Sequence, residues 1–207
     1  MINIINNNPA LLLATTNNGK QRELRILLAD LPCDCITPGE LGLTLDVPET
    51  GSTYAENASI KAAAFLAASG LMVVADDTGL EVEALDGAPG VWSARFSELP
   101  HATDADRRAK LLRTLEGKPR PWLARFQCVV AVAVPGKDIR LFQGSVEGEI
   151  IDEERGEHGF GYDRLFWIPA TGKTMAELDL AEKNQYSHRS IAIKKAIPYL
   201  LEKLVDK

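Results

Sequence analysis

The chain has 207 residues, 45% of them hydrophobic and 25% charged, with a formal net charge of −6 and a mean hydropathy of −0.08. That balance excludes a disordered, collagen-like or disulfide-dense protein, and the length suits one large domain or two small lobes sharing a core. No apolar run approaches the roughly 18–20 residues of a membrane span, and the acidic surplus argues against a nucleic-acid polymer as partner.

The first nineteen residues carry no charged side chain. Lacking the basic start of a secretory signal, residues 1–9 read as a flexible, Asn-rich leader and 10–207 as a single domain. The apolar run Ala10–Ala14 predicts a buried strand. From Lys20 to Leu31, the residues Leu24, Leu27, Leu28 and Leu31 recur at helical spacing, and Pro32 stops the helix. Cys33 and Cys35 have chelate spacing. With Cys128 as the third cysteine and no accompanying Cys/His cluster, they read as reduced thiols of a cytoplasmic protein. Thr37–Ser52 is polar and punctuated by Pro and Gly. Thr53 and Glu56 have the form of a capping box, opening an alanine-rich helix that runs to Ser69 and ends at Gly70.

Leu71–Ala75 is the next buried strand, followed by a polar corner at Asp76, Asp77, Thr78 and Gly79. Gly87–Gly90 reads as a turn, and Asp104–Leu115 as a helix with Gly117 behind it. Phe126–Val134 and Ile139–Glu147 read as paired strands across a Pro135-Gly136 turn. A Gly-rich segment, Gly156–Gly161, leads into Leu165–Ile168. A final helix runs from Ser187 to Leu204, bent at Pro198. Strands and helices interleave without a repeat, which defines an α/β protein, with two lobes around a cleft expected.

Five segments carry residue types suited to chemistry. Thr15, Thr16, Asn17, Asn18, Gly19 and Lys20 join a buried strand to a helix. Helix N-terminal amides, a glycine and a lysine are the ingredients of a phosphate cradle. It is not a Walker A loop, which needs glycine where Ala14 stands and Ser or Thr where Gln21 stands; a plain turn capped by Asn17 or Asn18 is the alternative. Asn57 and Lys61 share one helix face. Asp76 and Asp77, with Glu49, would suit Mg²⁺, which takes oxygen ligands and keeps waters. Adjacent residues of a strand face opposite ways, so one aspartate would face a ligand and the other would support it; an Asp-rich turn is the alternative. Phe160, between Gly159 and Gly161 and followed by Tyr162 and Asp163, offers a ring on which a base can stack. Lys183, Ser187, His188 and Arg189 gather amides, an imidazole and two cations about the start of the last helix.

In this order the segments resemble the Ham1/inosine triphosphatase family, the noncanonical purine nucleoside triphosphate pyrophosphatases. The likeness runs from Leu11 to the final helix. It includes Glu49-Thr-Gly51, Ala75–Gly79, Gly87–Gly90 with Ser93-Ala-Arg95, Gly159–Asp163 and Ser187-His-Arg189. It implies an elongated mixed α/β sheet with flanking helices and two lobes around a central cleft, a homodimer, and Mg²⁺-dependent hydrolysis of dITP, ITP and XTP to monophosphate and pyrophosphate. By the same likeness, Thr15–Lys20 hold the triphosphate and Lys61 adds charge. Asp77 is general base and, with Glu49, metal ligand; Thr78 touches substrate; Phe160, Gly161, Tyr162, Asp163, Lys183, His188 and Arg189 hold the nucleobase end. Pro48, Arg164 and Tyr186 depart from residues common in relatives, and the first leaves the metal's full carboxylate set open. The readings that compete are a Maf-like pyrophosphatase of modified pyrimidine nucleotides and a nucleotide-binding regulator without turnover.

Overall fold

The structure, a computed structural model, describes residues 8–205. Most of the leader expected over residues 1–9 therefore lies outside the described residues. Pro9 is already tied in: its carbonyl accepts the Asp34 amide at 2.9 Å.

The strands are β1 (Ala10–Leu13), β2 (Asp34–Ile36), β3 (Met72–Val82), β4 (Pro89–Gly90), β5 (Trp122–Ala133), β6 (Arg140–Ile150), β7 (Phe166–Ile168) and β8 (Lys173–Thr174). They form a mixed sheet in the order β2-β1-β3-β5-β6-β7-β8, with β4 pairing antiparallel to β3. β1 runs parallel to both β2 and β3, and β7 antiparallel to both β6 and β8. The helices are α1 (Asn18–Leu27), α2 (Tyr54–Ser69), α3 (Asp104–Leu115), α4 (Leu180–Tyr186) and α5 (His188–Val205).

The chain divides into two units. The first takes the chain through Asp77, then Cys128–Gly144 and the residues from Arg189 onward; the second takes Thr78–Gln127 and Ser145–His188. In the first unit the strand period of two sorts the core into two layers. Leu11, Leu13, Met72, Val74, Val130 and Val132 pack with Leu24 and Leu28 of α1 and its C-cap and with Ile193, Ala196 and Leu200 of α5. The alternate residues Leu12, Ala14, Val73, Ala75, Val129 and Ala131 pack with Ala58, Ala62 and Phe65 of α2. Small alanines on α2 let it lie close to the sheet. The second unit has its own core, built from Leu80, Leu111, Leu115, Phe126, Tyr162, Leu165, Phe166 and Met175 among others.

Four local expectations are corrected. The predicted polar corner at Asp76–Gly79 is continuous strand: β3 runs straight through it. The first helix starts at Asn18 and ends at Leu27, four residues short of the predicted Leu31, with Leu28 as its C-cap. Thr53 does cap α2 by accepting the Glu56 amide, but the Glu56 carboxylate bonds Ser52 at its amide and hydroxyl (2.6 and 2.8 Å) and so leaves the box half made. Lys183 lies on a separate short helix, α4, and Ser187 is that helix's C-cap.

Gly156 shows how tightly the loop before β7 is packed. It has φ +82°, and a Cβ there would sit 2.1 Å from the Ala176 carbonyl carbon. Gly156→Ala is therefore expected to cost about 1 kcal/mol or more, seen as a lower urea midpoint at unchanged slope.

Candidate functional site

Because β3 continues through the aspartate pair, its alternation sends the two carboxylates to opposite layers. Asp76 continues the face of Val74, toward α1 and α5, and Asp77 continues the face of Ala75, toward α2. Both are buried, at 1% and 5% exposure. On its side Asp76 Oδ2 accepts from Lys20 Nζ at 3.0 Å and from Arg189 Nε and Nη2 at 3.1 and 3.0 Å. Arg189, 1% exposed, also pairs through Nη1 with Glu23 of α1, itself buried. Burial alone would raise the Asp76 carboxyl, but Lys20, Arg189 and Lys61 outweigh it and hold Asp76 well below the usual carboxylate range.

On the α2 side, Lys61 Nζ bridges Glu49 Oε1 at 2.8 Å and Asp77 Oδ1 at 3.2 Å. Asn57, one helical turn earlier and fully buried, donates to Asp77 Oδ2 at 3.2 Å and accepts the Gly51 amide at 2.8 Å. One amide side chain thus fixes both the aspartate and the loop bearing Glu49. The approach is close: a Cβ on Gly51 would lie 2.6 Å from Glu56 Cβ. Here burial wins. It raises the Asp77 carboxyl above its ordinary value, with Glu49 adding to it, despite Lys61 and Lys20. Burial pulls the Lys61 ammonium down, but Asp77, Asp76 and Glu49 outweigh it and raise it. Two adjacent carboxylates are thus driven apart, one kept ionised and one made more basic, which is how a site obtains a fixed charge and a proton acceptor from one residue type.

Preceding α1, Asn17 caps the helix by accepting the Lys20 amide at 3.0 Å, and the Thr15 hydroxyl accepts the Asn17 amide at 3.2 Å. Thr16, Asn17 and Asn18 are exposed, and Thr15, Gly19 and Lys20 half-buried. The loop is therefore the capped turn, with its middle residues exposed at the start of α1. Thr78, half-buried, is the next residue of β3 after Asp77.

For a divalent cation the donor chemistry fits. Glu49 and Asp77 oxygens converge on one ammonium, which marks a place where positive charge is stabilised. Among the described residues no group of three or more His, Cys, Asp or Glu is disposed to hold a metal. A two-carboxylate set suits an ion that retains waters and takes its other oxygens from phosphate, as Mg²⁺ does.

In the second unit, the Gly159–Asp163 loop carries Phe160. Asp163 Oδ2 accepts the Phe160 amide at 2.8 Å and Lys183 Nζ at 2.6 Å, and Lys183 lies over the Phe160 ring, 5.0 Å from its centroid. Lys183 and Asp163 are buried; Phe160 and Gly161 are half-buried. The Tyr162 hydroxyl donates to the Ser93 carbonyl at 2.9 Å, so Tyr162 anchors the loop from within the core. His188 is buried with its ring stacked on Phe126 at 4.7 Å.

The predicted residues thus fall into two groups. Lys20, Glu49, Lys61 and Asp77 meet in the first unit; Phe160, Gly161, Tyr162, Asp163 and Lys183 meet in the second. Arg189, which the resemblance places at the nucleobase end, pairs with Asp76 and Glu23. Glu23 was absent from the predicted set, and Asn57 was singled out there only as sharing a face with Lys61. Glu23 stands three residues after Lys20 and four before Leu27, an acid on the edge of the apolar stripe, and that was its signal.

A buried carboxylate pair ringed by amines is equipment for holding an anion and a cation together. The chain belongs to the Ham1 family, whose sequence model matches residues 11–199. It is 48% identical over 191 residues to the dITP/XTP pyrophosphatase of Desulforamulus reducens, covering 92% of this chain and 94% of that protein. With a protein of the same description from Thermus thermophilus it shares 47% over 197 residues, covering 94% and 91%. Among solved structures, a Ham1 protein from Coxiella burnetii matches with a TM-score of 0.84 at 41% identity, covering 94% of this chain and 99% of that one. The Staphylococcus aureus Ham1 protein matches at 0.82 and 39%, with the same coverage.

Arg189→Met removes the guanidinium that the buried carboxylates of Glu23 and Asp76 share, and is expected to cost about 3–5 kcal/mol in chemical denaturation. Arg189→Lys is expected to recover little, since one ammonium cannot replace a guanidinium that reaches both acids.

Proposed function

We propose that this chain hydrolyses the triphosphates of noncanonical purines (dITP, ITP and XTP) to the monophosphate and pyrophosphate. Its family and its relatives' shared description make it a hydrolase of phosphoanhydride bonds. The observation that carries the residue-level reading is the division of Asp76 and Asp77 between the two faces of β3.

Asp77, raised by burial and held by Asn57 and Lys61, acts as general base. It orients a water in line with the α-phosphorus and takes its proton as the bond to the β-phosphate oxygen breaks. Glu49 and Asp77 would hold Mg²⁺, which when bound neutralises phosphate oxygens and the departing pyrophosphate. Lys20, Lys61 and the Thr15–Lys20 segment bind the triphosphate, and Thr78 touches substrate. Asp76, kept ionised by Lys20 and Arg189, sets the position of Lys20 and takes no proton.

For the nucleobase, Phe160 is the stacking platform, and Lys183 and His188 belong to the same recognition group. Donors matched to a 6-keto oxygen are left unpaired by the 6-amino group of adenine, which a buried site penalises heavily. Membership of the Ham1 family does not favour the pyrimidine-directed alternative, and intact Glu49 and Asp77 oppose a regulator without turnover. We further place the enzyme in the cytoplasm as a homodimer. Three free cysteines suit a reducing compartment, and the dimer follows from the family likeness. Among the described residues no helix is long and apolar enough to cross a membrane.

With dITP and Mg²⁺ the product should be pyrophosphate and not orthophosphate. Asp77→Asn should lower turnover by about 10²–10⁴-fold while dITP still binds in calorimetry; near-normal turnover would remove Asp77 as the base. Chelation with EDTA should stop pyrophosphate release, and added Mg²⁺ should restore it.

A further inference from the structure

The Gly159–Asp163 loop is held by more than its own Asp163. Gly161, at φ +61°, is gripped on both of its peptide groups by α3. Its amide donates to Asp104 Oδ2 at 2.7 Å, and its carbonyl accepts from Arg108 Nη1 at 2.8 Å. Both anchors are themselves braced. Asp104 Oδ1 accepts Arg107 Nη2 at 2.5 Å, and the helix end beneath it is closed by the Thr103–Asp106 capping box. Arg108, buried on the face of α3 that also carries Leu111 and Leu115, makes a forked pair with Glu154 through Nε and Nη2 at 2.7 and 3.1 Å. A guanidinium is costly to bury, and this one spends a donor on a single loop carbonyl. Burial pushes the Asp104 carboxyl up, but Arg107 and the Gly161 amide prevail and keep it ionised.

We infer that Asp104 and Arg108 are positioning residues for nucleobase recognition: by fixing both peptide planes at Gly161 they set the attitude of the adjacent Phe160 ring. Neither touches substrate. The inference rests on Phe160 being the stacking platform, and it extends the recognition apparatus to a helix outside the loop motif. Asp104 and Arg108 lie four apart, so both reach one glycine from the same side of α3.

The test compares Asp104→Ala, Arg108→Ala, Arg108→Lys and Asp104→Asn with Phe160→Ala, each checked for folding by circular dichroism. The readouts are KM and kcat for dITP and inhibition by dIMP and by pyrophosphate. Asp104→Ala and Arg108→Ala should raise KM and the dIMP inhibition constant by about 10-fold, the scale of one lost stacking contact. They should leave kcat and pyrophosphate inhibition near wild type. Asp104→Asn, which keeps an acceptor for the Gly161 amide, should recover most of the loss, and Arg108→Lys should fall between. If Arg108→Ala does not fold, Asp104→Ala carries the same comparison. An equal rise in the pyrophosphate constant, or no rise for dIMP, overturns the positioning role while Phe160→Ala still weakens dIMP. If Phe160→Ala itself leaves dIMP binding unchanged, the stacking reading has failed, and the positioning role falls with it.

Discussion

The site depends on a property of extended backbone: consecutive side chains leave a strand on opposite faces. β3 carries an apolar alternation into two successive aspartates, and the layers already sorted by Val73, Val74 and Ala75 decide what each meets. Asp76 is delivered to cations on α1 and α5, Asp77 to an amide and an ammonium on α2. Had the chain turned at this point, both carboxylates would have shared one environment and differed little. Continuous pairing of β3 makes them chemically distinct.

The two units use related means for different ends. In the first, one buried acid is surrounded by cations while burial raises the carboxyl of its neighbour. In the second, Asp163 accepts both a loop amide and a buried ammonium, and α3 grips a glycine of the same loop. Neither group relies on a long flexible side chain left in water. Lys20, Lys61 and Lys183 each have a carboxylate partner, which removes most of their rotational freedom before any ligand arrives.

Much of this was legible in the residues. The strand at Ala10, the helix from Asp104 to Leu115, the Gly70 stop and the face shared by Asn57 and Lys61 follow from local period and cap chemistry, and the ordered motifs carried the family. What local reading could not supply was tertiary. Asp, Thr and Gly together have the propensities of a turn, and only pairing with neighbouring strands keeps Asp76–Gly79 extended. Arg189 stands in a motif with His188, yet the acids it serves lie 113 and 166 residues away in sequence. The short helix α4 escaped because Asp179 and Glu182 form its capping box without an apolar stripe long enough to signal it.

The bond pattern among Glu23, Asp76 and Arg189 also constrains how such a sequence can drift. Each member is dry and charged, and Arg189 is a cation that the two acids share. Replacing one leaves the other buried charges with fewer partners, so the three positions are coupled through descent. Variation should therefore collect in Thr37–Ser52 and at the exposed rim of α5, while this trio changes together or stays as it is.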